Sequence, residues 1–264
     1  MSYRVIYFVI ILCSYYGCDR SSNWNLVWSD EFDYSGMPDT NIWNYDTIGN
    51  AWGWGNNELQ FYTSHNPKNV EVQNGILSII ARRDTIAGKQ YSSARLTTKH
   101  KKSFQYGRIE VRAKLPKGRG TWPAIWMLGE NVDSVGWPMC GEIDIMEYVG
   151  YMPDTVYATI HSEAYNHMKG TQKMKSTFIS NPNDFNIYAI EWSEGKIDFF
   201  FNDILYNTVI NEYQTEREWP FSAPFYLLLN VAVGGNWGGK FGVDDAVFPA
   251  TMEIDYVRLY ERKK

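Results

Sequence analysis

Along much of this chain, apolar and polar side chains alternate one for one. Arg108-Ile109-Glu110-Val111-Arg112-Ala113-Lys114-Leu115 does so without a break, which is the period-2 pattern of a strand with one face buried and the other wet. Similar short strands are predicted at Trp24–Trp28, Ile76–Ala81, Val156–His161, Ile187–Trp192, Ile197–Asn202 and Met252–Tyr260, with turn residues between them. Tyr226–Val233 is nearly all apolar and predicts a strand covered on both faces. No long window free of Gly and Pro has helical periodicity, so the class is all-β. Many short strands joined by Gly-rich turns make a sandwich or jelly roll, and a bent sandwich offers a concave sheet as a cleft.

Length and composition refine this picture. From Trp24 to Lys264 there is no Pro/Ser-rich linker, low-complexity block or repeat, so residues 24–264 read as one domain, since sandwiches often run to ~200–250 residues undivided. The 25 basic and 30 acidic side chains give a net charge of −5, and the basic cluster of note is Lys99-His100-Lys101-Lys102. That excludes a nucleic-acid partner and favours a neutral over a heavily sulfated polymer. Aromatic residues make up 16% of the chain, with 11 Trp, and some sit in turns such as Ala51-Trp52-Gly53-Trp54-Gly55. Flat apolar faces of this kind are what the C–H face of a sugar stacks on.

At the start, Arg4 precedes an apolar run from Val5 to Leu12, too short to span a bilayer and proportioned like a signal-peptide core. The run ends in Ser14-Tyr15-Tyr16-Gly17-Cys18, similar to a bacterial lipoprotein processing box although Tyr15 is bulky for it. The expectation is an exported protein with a signal segment at 1–18, a tether at 19–23 and a lipid anchor on Cys18, with simple secretion as the alternative. Removal of the signal discards Cys13 and leaves Cys140 without an intrachain disulfide partner.

The chemistry lies in Gly141-Glu142-Ile143-Asp144-Ile145-Met146-Glu147-Tyr148, which puts three carboxylates on an otherwise apolar strand. Such a cluster is costly to desolvate and raises at least one carboxyl pKa. On a regular strand Glu142 and Asp144 share a face while Glu147 points the other way. A one-residue β-bulge near Ile145-Met146 would return Glu147 to the cleft, leaving Ile143 and one of Ile145 or Met146 behind the sheet. Two carboxylates aimed at one bond, one ionised and one protonated, are glycosidase equipment. Glu142 would attack the anomeric carbon, Glu147 would act as acid and then base, and Asp144 would hydrogen-bond Glu142. Spacing leaves retention and inversion both open, and a solvated acidic strand or a cation site is the bland alternative.

Glu142-Ile143-Asp144-Ile145-Met146-Glu147 resembles the signature of glycoside hydrolase family 16, in the bulged form of its laminarinase-like branch. Trp52–Gln60, Tyr106–Glu110, Gly120–Trp126, Trp137-Pro138, Leu229–Trp237 and Ile254–Arg258 resemble further segments of that branch, in the expected order. The resemblance implies a concanavalin A-like β-jelly-roll of two curved antiparallel sheets with a concave substrate cleft. It implies endo cleavage of β-1,3-glucan or mixed β-1,3/1,4-glucan with retention through a glycosyl-enzyme intermediate, and no cofactor for catalysis. A non-catalytic β-glucan-binding protein on the same scaffold and an agar or carrageenan hydrolase are the rivals.

Within that frame Trp122 and Trp126, four apart on one strand face, line the cleft; Trp126 is the stacking platform and Trp122 is either a platform or a packing residue. Trp137 is a second platform. Asn56, Glu58 and Arg95 are suited to reading sugar hydroxyls or to bracing their loop. His161 is an orienting donor to the carboxylates. Asn236 and Trp237 lie in a loop whose glycines suggest mobility and a rim contact. The family pattern also points to a structural Ca²⁺ held by Glu31, the Gly75 carbonyl and Asp255, hard oxygen ligands as calcium needs. The partner is a β-glucan polysaccharide, the membrane is met only through the Cys18 anchor, and the chain acts as a monomer.

Overall fold

The computed structural model describes residues 23–263. The signal segment, Cys18 and the tether up to residue 22 lie outside the described residues. Eighteen strands are described: β1 (Trp24–Asp30), β2 (Asn44–Tyr45), β3 (Gln60–Tyr62), β4 (Val70–Gln73), β5 (Ile76–Ala81), β6 (Tyr91–Ser93), β7 (Arg95–Thr97), β8 (Ser103–Phe104), β9 (Gly107–Lys114), β10 (Thr121–Gly129), β11 (Glu142–Tyr148), β12 (Thr155–His161), β13 (Lys173–Phe178), β14 (Asn186–Ser193), β15 (Lys196–Phe201), β16 (Ile204–Ile210), β17 (Phe225–Val233) and β18 (Ala250–Arg262). Helix among the described residues is slight and includes one four-residue turn, α1 (Val132–Val135).

Two eight-stranded antiparallel sheets hold nearly all of these strands. The back sheet runs β16-β15-β14-β9-β18-β5-β4, with β1 also on β18; the cleft sheet runs β13-β12-β11-β10-β17-β7-β2, with β8 on β17. β3 and β6 form a separate parallel pair. All the strands expected from alternation are present, shifted by at most a few residues at their ends. The period-2 pattern places them. In β9, Ile109, Val111 and Ala113 enter the core, while in β10 Ile125 and Met127 meet them from the other sheet. Each fully buried Ile or Leu contributes about 1.5–3 kcal/mol, so a core of this size can carry buried polar groups elsewhere.

β17 departs from its expectation in an informative way. All nine residues are buried, but the faces differ. Leu227, Leu229, Val231 and Val233 join the main core, whereas Tyr226, Asn230 and Ala232 line a cleft. Tyr226 and Leu228, with Leu128 and Cys140, form a small apolar cluster against Trp126 and Trp137. The second face is thus covered by cleft side chains rather than by another layer. Cys140 is buried and free.

Candidate active site

The pairing of β11 with its neighbours sets the geometry of the site. Against β10, Ala124 pairs with Glu147 and Ile125 with Met146, but Trp126 pairs with Asp144, so Ile145 is an extra residue. Against β12, Asp144 pairs with Thr159 and Glu147 with Tyr157, leaving Ile145 and Met146 opposite Ala158 alone. This is a β-bulge. It brings Glu142, Asp144 and Glu147 into the same cleft. Ile143, Ile145 and Met146 are all in the core, a correction to the expectation that only one of the last two would be. Both bulge residues face one partner, so both turn inward.

Few donors offset the burial of this trio. The Trp137 Nε1–H donates to Glu142 Oε2 at 3.0 Å, and the Trp122 Nε1–H donates to Glu147 Oε1 at 3.2 Å. Thr159 Oγ1 approaches Glu147 Oε2 at 3.5 Å. Among the described residues, no Lys or Arg makes an ion pair with any of the three. Burial pushes Glu147 up to about 7 against the two hydrogen bonds that lower it. Burial and then the Glu147 charge raise Glu142, opposed by Trp137, Arg95 and the hydrogen bond from Asp144. Asp144, only 3% exposed, is raised well above the ordinary carboxyl value, first by burial and then by the charges of Glu142 and Glu147. Asp144 therefore holds a proton and donates it towards Glu142, which lets Glu142 bear the charge of the pair.

His161 pairs with Glu142 across the β11–β12 ladder, and its Nε2 lies 3.4 Å from Asp144 Oδ2 and 3.6 Å from Glu142 Oε1. Burial, followed by the neighbouring His167, lowers its pKa to about 3, so the imidazole is neutral.

The walls are more firmly held than the floor. Trp126 Nε1–H donates to Asn230 Oδ1 at 2.8 Å. The Arg95 guanidinium lies over the rings of Trp54 (4.4 Å) and Trp126 (4.7 Å) and pairs with Asp46 at 3.2 Å. Glu58 accepts from Gln60 Nε2 at 2.6 Å and Asn56 Nδ2 at 3.4 Å. Trp237 meets Trp122 and Tyr157 edge to face, and Trp137 lies against His167. Together these residues line a cleft of about 1170 Å³. The trio, the three flanking tryptophans, Asn56, Glu58, Arg95, His161, Asn236 and Trp237 all face it.

Trp52 and Trp54 of the aromatic turn also line the cleft, as do Asp46, Tyr226, Asn230, Tyr157 and His167, which were not singled out from the sequence. Asn230 carried a usable signal, being the lone polar residue of an apolar strand.

The glycine loop is tighter than expected. Gly235 has φ +76 and a Cβ there would come within 3.0 Å of the Asn56 carbonyl, while a Cβ on Gly238 would meet Trp122 at 2.7 Å. Asn236 N–H donates to the Asn56 carbonyl at 2.7 Å, and Asn57 Nδ2 donates to Asn236 Oδ1 at 2.8 Å. The glycines serve close packing and turn geometry rather than mobility.

Away from the cleft, Glu31 accepts two bonds from Arg258 at 2.9 and 2.8 Å, and Asp255 pairs with Arg112. Gly75 sits in the β4–β5 turn with φ +77. Two of the three expected calcium donors are thus already neutralised by guanidinium groups.

A β-sandwich whose cleft sheet turns two raised carboxyls into one groove, between tryptophan walls, defines a carbohydrate-cleaving hydrolase. The family model for glycosyl hydrolases family 16 matches residues 57–258, and the chain belongs to that family. It is 52% identical over 263 residues to the beta-glucanase of Rhodothermus marinus, covering 96% of this chain and 91% of that protein. Among solved structures, the laminarinase from Rhodothermus marinus superposes with a TM-score of 0.88 at 51% identity, covering 91% of this chain and 98% of that one. The laminarinase from Flavobacterium sp. UMI-01 does so with a TM-score of 0.83 at 46% identity, covering 90% and 100%.

Proposed function

We propose that this glycoside hydrolase cuts β-1,3-glucan chains internally, of the laminarin type, with retention at the anomeric carbon. The observation that carries the proposal is the bulge at Ile145 and Met146, which faces Glu142 and Glu147 into one tryptophan-walled cleft. In the first step a Glu142 oxygen bonds to the anomeric carbon as the glycosidic C–O bond breaks, and the Glu147 proton passes to the leaving oxygen. In the second, Glu147 takes a proton from water, the water oxygen bonds to the anomeric carbon, and Glu142 leaves as carboxylate. Asp144 positions Glu142 through their hydrogen bond, with the neutral His161 ring beside both. Trp126, Trp122, Trp137 and Trp237 offer ring faces and edges to the sugar chain, while Asn56, Glu58, Arg95 and Asn236 meet hydroxyls. No cofactor takes part. Laminarin, mixed β-1,3/1,4-glucan, agarose and carrageenan, incubated separately with counting of reducing ends, test the substrate. Activity on agarose with none on laminarin would overturn it, and binding of laminarin without turnover would leave a glucan-binding protein.

Two further features belong to the same reading. The lipoprotein-like box supports export and anchoring of the monomeric enzyme through Cys18, to be checked by mass spectrometry of the N-terminal peptide for a diacylglyceryl group. Simple secretion would show an unmodified N-terminus. A structural Ca²⁺ at Glu31, Gly75 and Asp255 requires Arg258 and Arg112 to release their carboxylates. Chelation that changes neither the melting temperature nor the calcium content removes that site.

A further inference from the structure

Glu142 Oε1, Asp144 Oδ2 and His161 Nε2 form a three-point array that the hydrolytic mechanism does not account for in full. The ligand atoms of these residues lie within 4.8 Å of one another, with His161 Nε2 at 3.4 Å from Asp144 Oδ2 and 3.6 Å from Glu142 Oε1. These two separations are too long for good hydrogen bonds to a ring N–H. They are close to the edge of a tetrahedron about a zinc ion, which at a metal–ligand distance of about 2.1 Å is about 3.4 Å.

One atom of this array, and the second ring nitrogen of its histidine, have no hydrogen-bond partner. Asp144 Oδ2 and His161 Nδ1 are buried and unpartnered, in residues only 3% and 6% exposed. Neither neutral tautomer of His161 resolves this. With the proton on Nε2, Nδ1 is stranded; with the proton on Nδ1, the Nε2 lone pair faces two carboxyl oxygens. A buried polar atom without a partner is costly, and a cation at the centre would take the Asp144 Oδ2 lone pair together with those of Glu142 Oε1 and His161 Nε2.

We propose that Glu142, Asp144 and His161 form a binding site for a borderline divalent cation such as Zn²⁺, and that its occupation reversibly blocks the active site. One imidazole and two carboxylates suit zinc or copper. Calcium and magnesium require six or more oxygen ligands and would find too few here. All three side chains line the cleft, so the fourth coordination position opens to solvent, and the ion is exchangeable rather than a permanent structural ligand. The exchange is metal for proton: the proton held between Asp144 and Glu142 passes to water as the metal binds. With its Oε1 on the metal, Glu142 cannot attack an anomeric carbon. The blocking effect rests on the reading of Glu142 as nucleophile, while the binding itself does not.

Calorimetric titration of the chelator-treated protein with Zn²⁺ tests the site, with Mg²⁺ as the control. The expected result is one Zn²⁺ per chain, a raised melting temperature, no Mg²⁺ binding, and an affinity reduced about tenfold or more in His161→Gln and in Asp144→Asn. The asparagine variant is nearly isosteric and guards against a folding defect in the histidine variant. Absence of Zn²⁺ binding up to about 1 mM, or wild-type affinity in both variants, would overturn the proposal. Laminarin hydrolysis measured alongside separates the two readings. Zinc binding by a chain that hydrolyses no glucan would count against the glucanase assignment and leave the site standing. Full hydrolysis with the site saturated would overturn the block.

Discussion

The two sheets each bury carboxylates, and they treat them in opposite ways. In the back sheet, Glu110 is 8% exposed and accepts from Arg108 Nε and Nη2 at 3.0 and 2.8 Å and from the Tyr256 hydroxyl at 2.6 Å. Arg108 also reaches Glu191 and Asp203. Burial lowers the Arg108 pKa, but these carboxylates outweigh it and hold the guanidinium above its usual value. In the cleft sheet, Glu142, Asp144 and Glu147 have neutral N–H and O–H donors and a neutral histidine, and burial raises all three. The back-sheet carboxylate is matched with a cation and serves structure. Glu147, without one, is raised by burial to about 7, where it can exchange a proton with substrate.

Removing the two cleft glutamates breaks this comparison most sharply. Glu142→Gln and Glu147→Gln each lower turnover by about three to five orders of magnitude, with little change in melting temperature because no ion pair is lost. With Glu142→Gly, azide and an activated glycoside give product of inverted configuration, whereas with Glu147→Ala the rescued product keeps its configuration; swapped outcomes would reverse the assigned roles. In the back sheet the effect moves from rate to stability. Arg108→Met strands Glu110 in the interior and costs about 3–5 kcal/mol in denaturant unfolding, while kcat per folded molecule is unchanged.

Smaller effects sharpen the contrast. Trp137→Phe removes the N–H that donates to Glu142 at 3.0 Å. Loss of a hydrogen bond to a charged group, about 1.5–3 kcal/mol, lowers kcat on laminarin about tenfold to a hundredfold if it falls wholly on the nucleophile. The smallest effect is on pH dependence. Glu147 must be protonated to act as acid, so kcat/KM declines above about pH 7, the value to which burial raises it. For stability the sign runs the same way: a folded pKa above the unfolded one stabilises fully below pH about 4.5 and is lost as pH rises through about 7. Melting curves across this range should fall less steeply for Glu147→Gln than for the parent chain.

Much of the fold was legible because alternation is a local property. Ile76–Ala81 could be bounded from its own residues, and the parity of Glu142, Asp144 and Glu147 forced a bulge between the last two. Residues contributed by distant strands were not legible in that way. Asn230 reaches the cleft because β17 pairs with β10 and places its amide oxygen on the Trp126 indole. Asp46 matters because β2 sits beside β7 and brings it to Arg95. The loop glycines were misread since sequence shows their freedom but not the Trp122 ring and Asn56 carbonyl that crowd them. The arginines on Glu31 and Asp255 were likewise hidden, as each ion pair joins segments far apart in the chain.

The extra residue at Ile145 makes the catalytic arrangement depend on a count as well as on identities. Deleting Met146 alone would keep every acidic residue and every aromatic wall and return β11 to unbroken parity, leaving Glu142, Asp144 and the last glutamate on alternate residues of one face; the bulge is needed because the strand carries one residue more than that. Substitution scans of this strand would therefore miss part of what it encodes. Single-codon deletions are the natural way to reveal it.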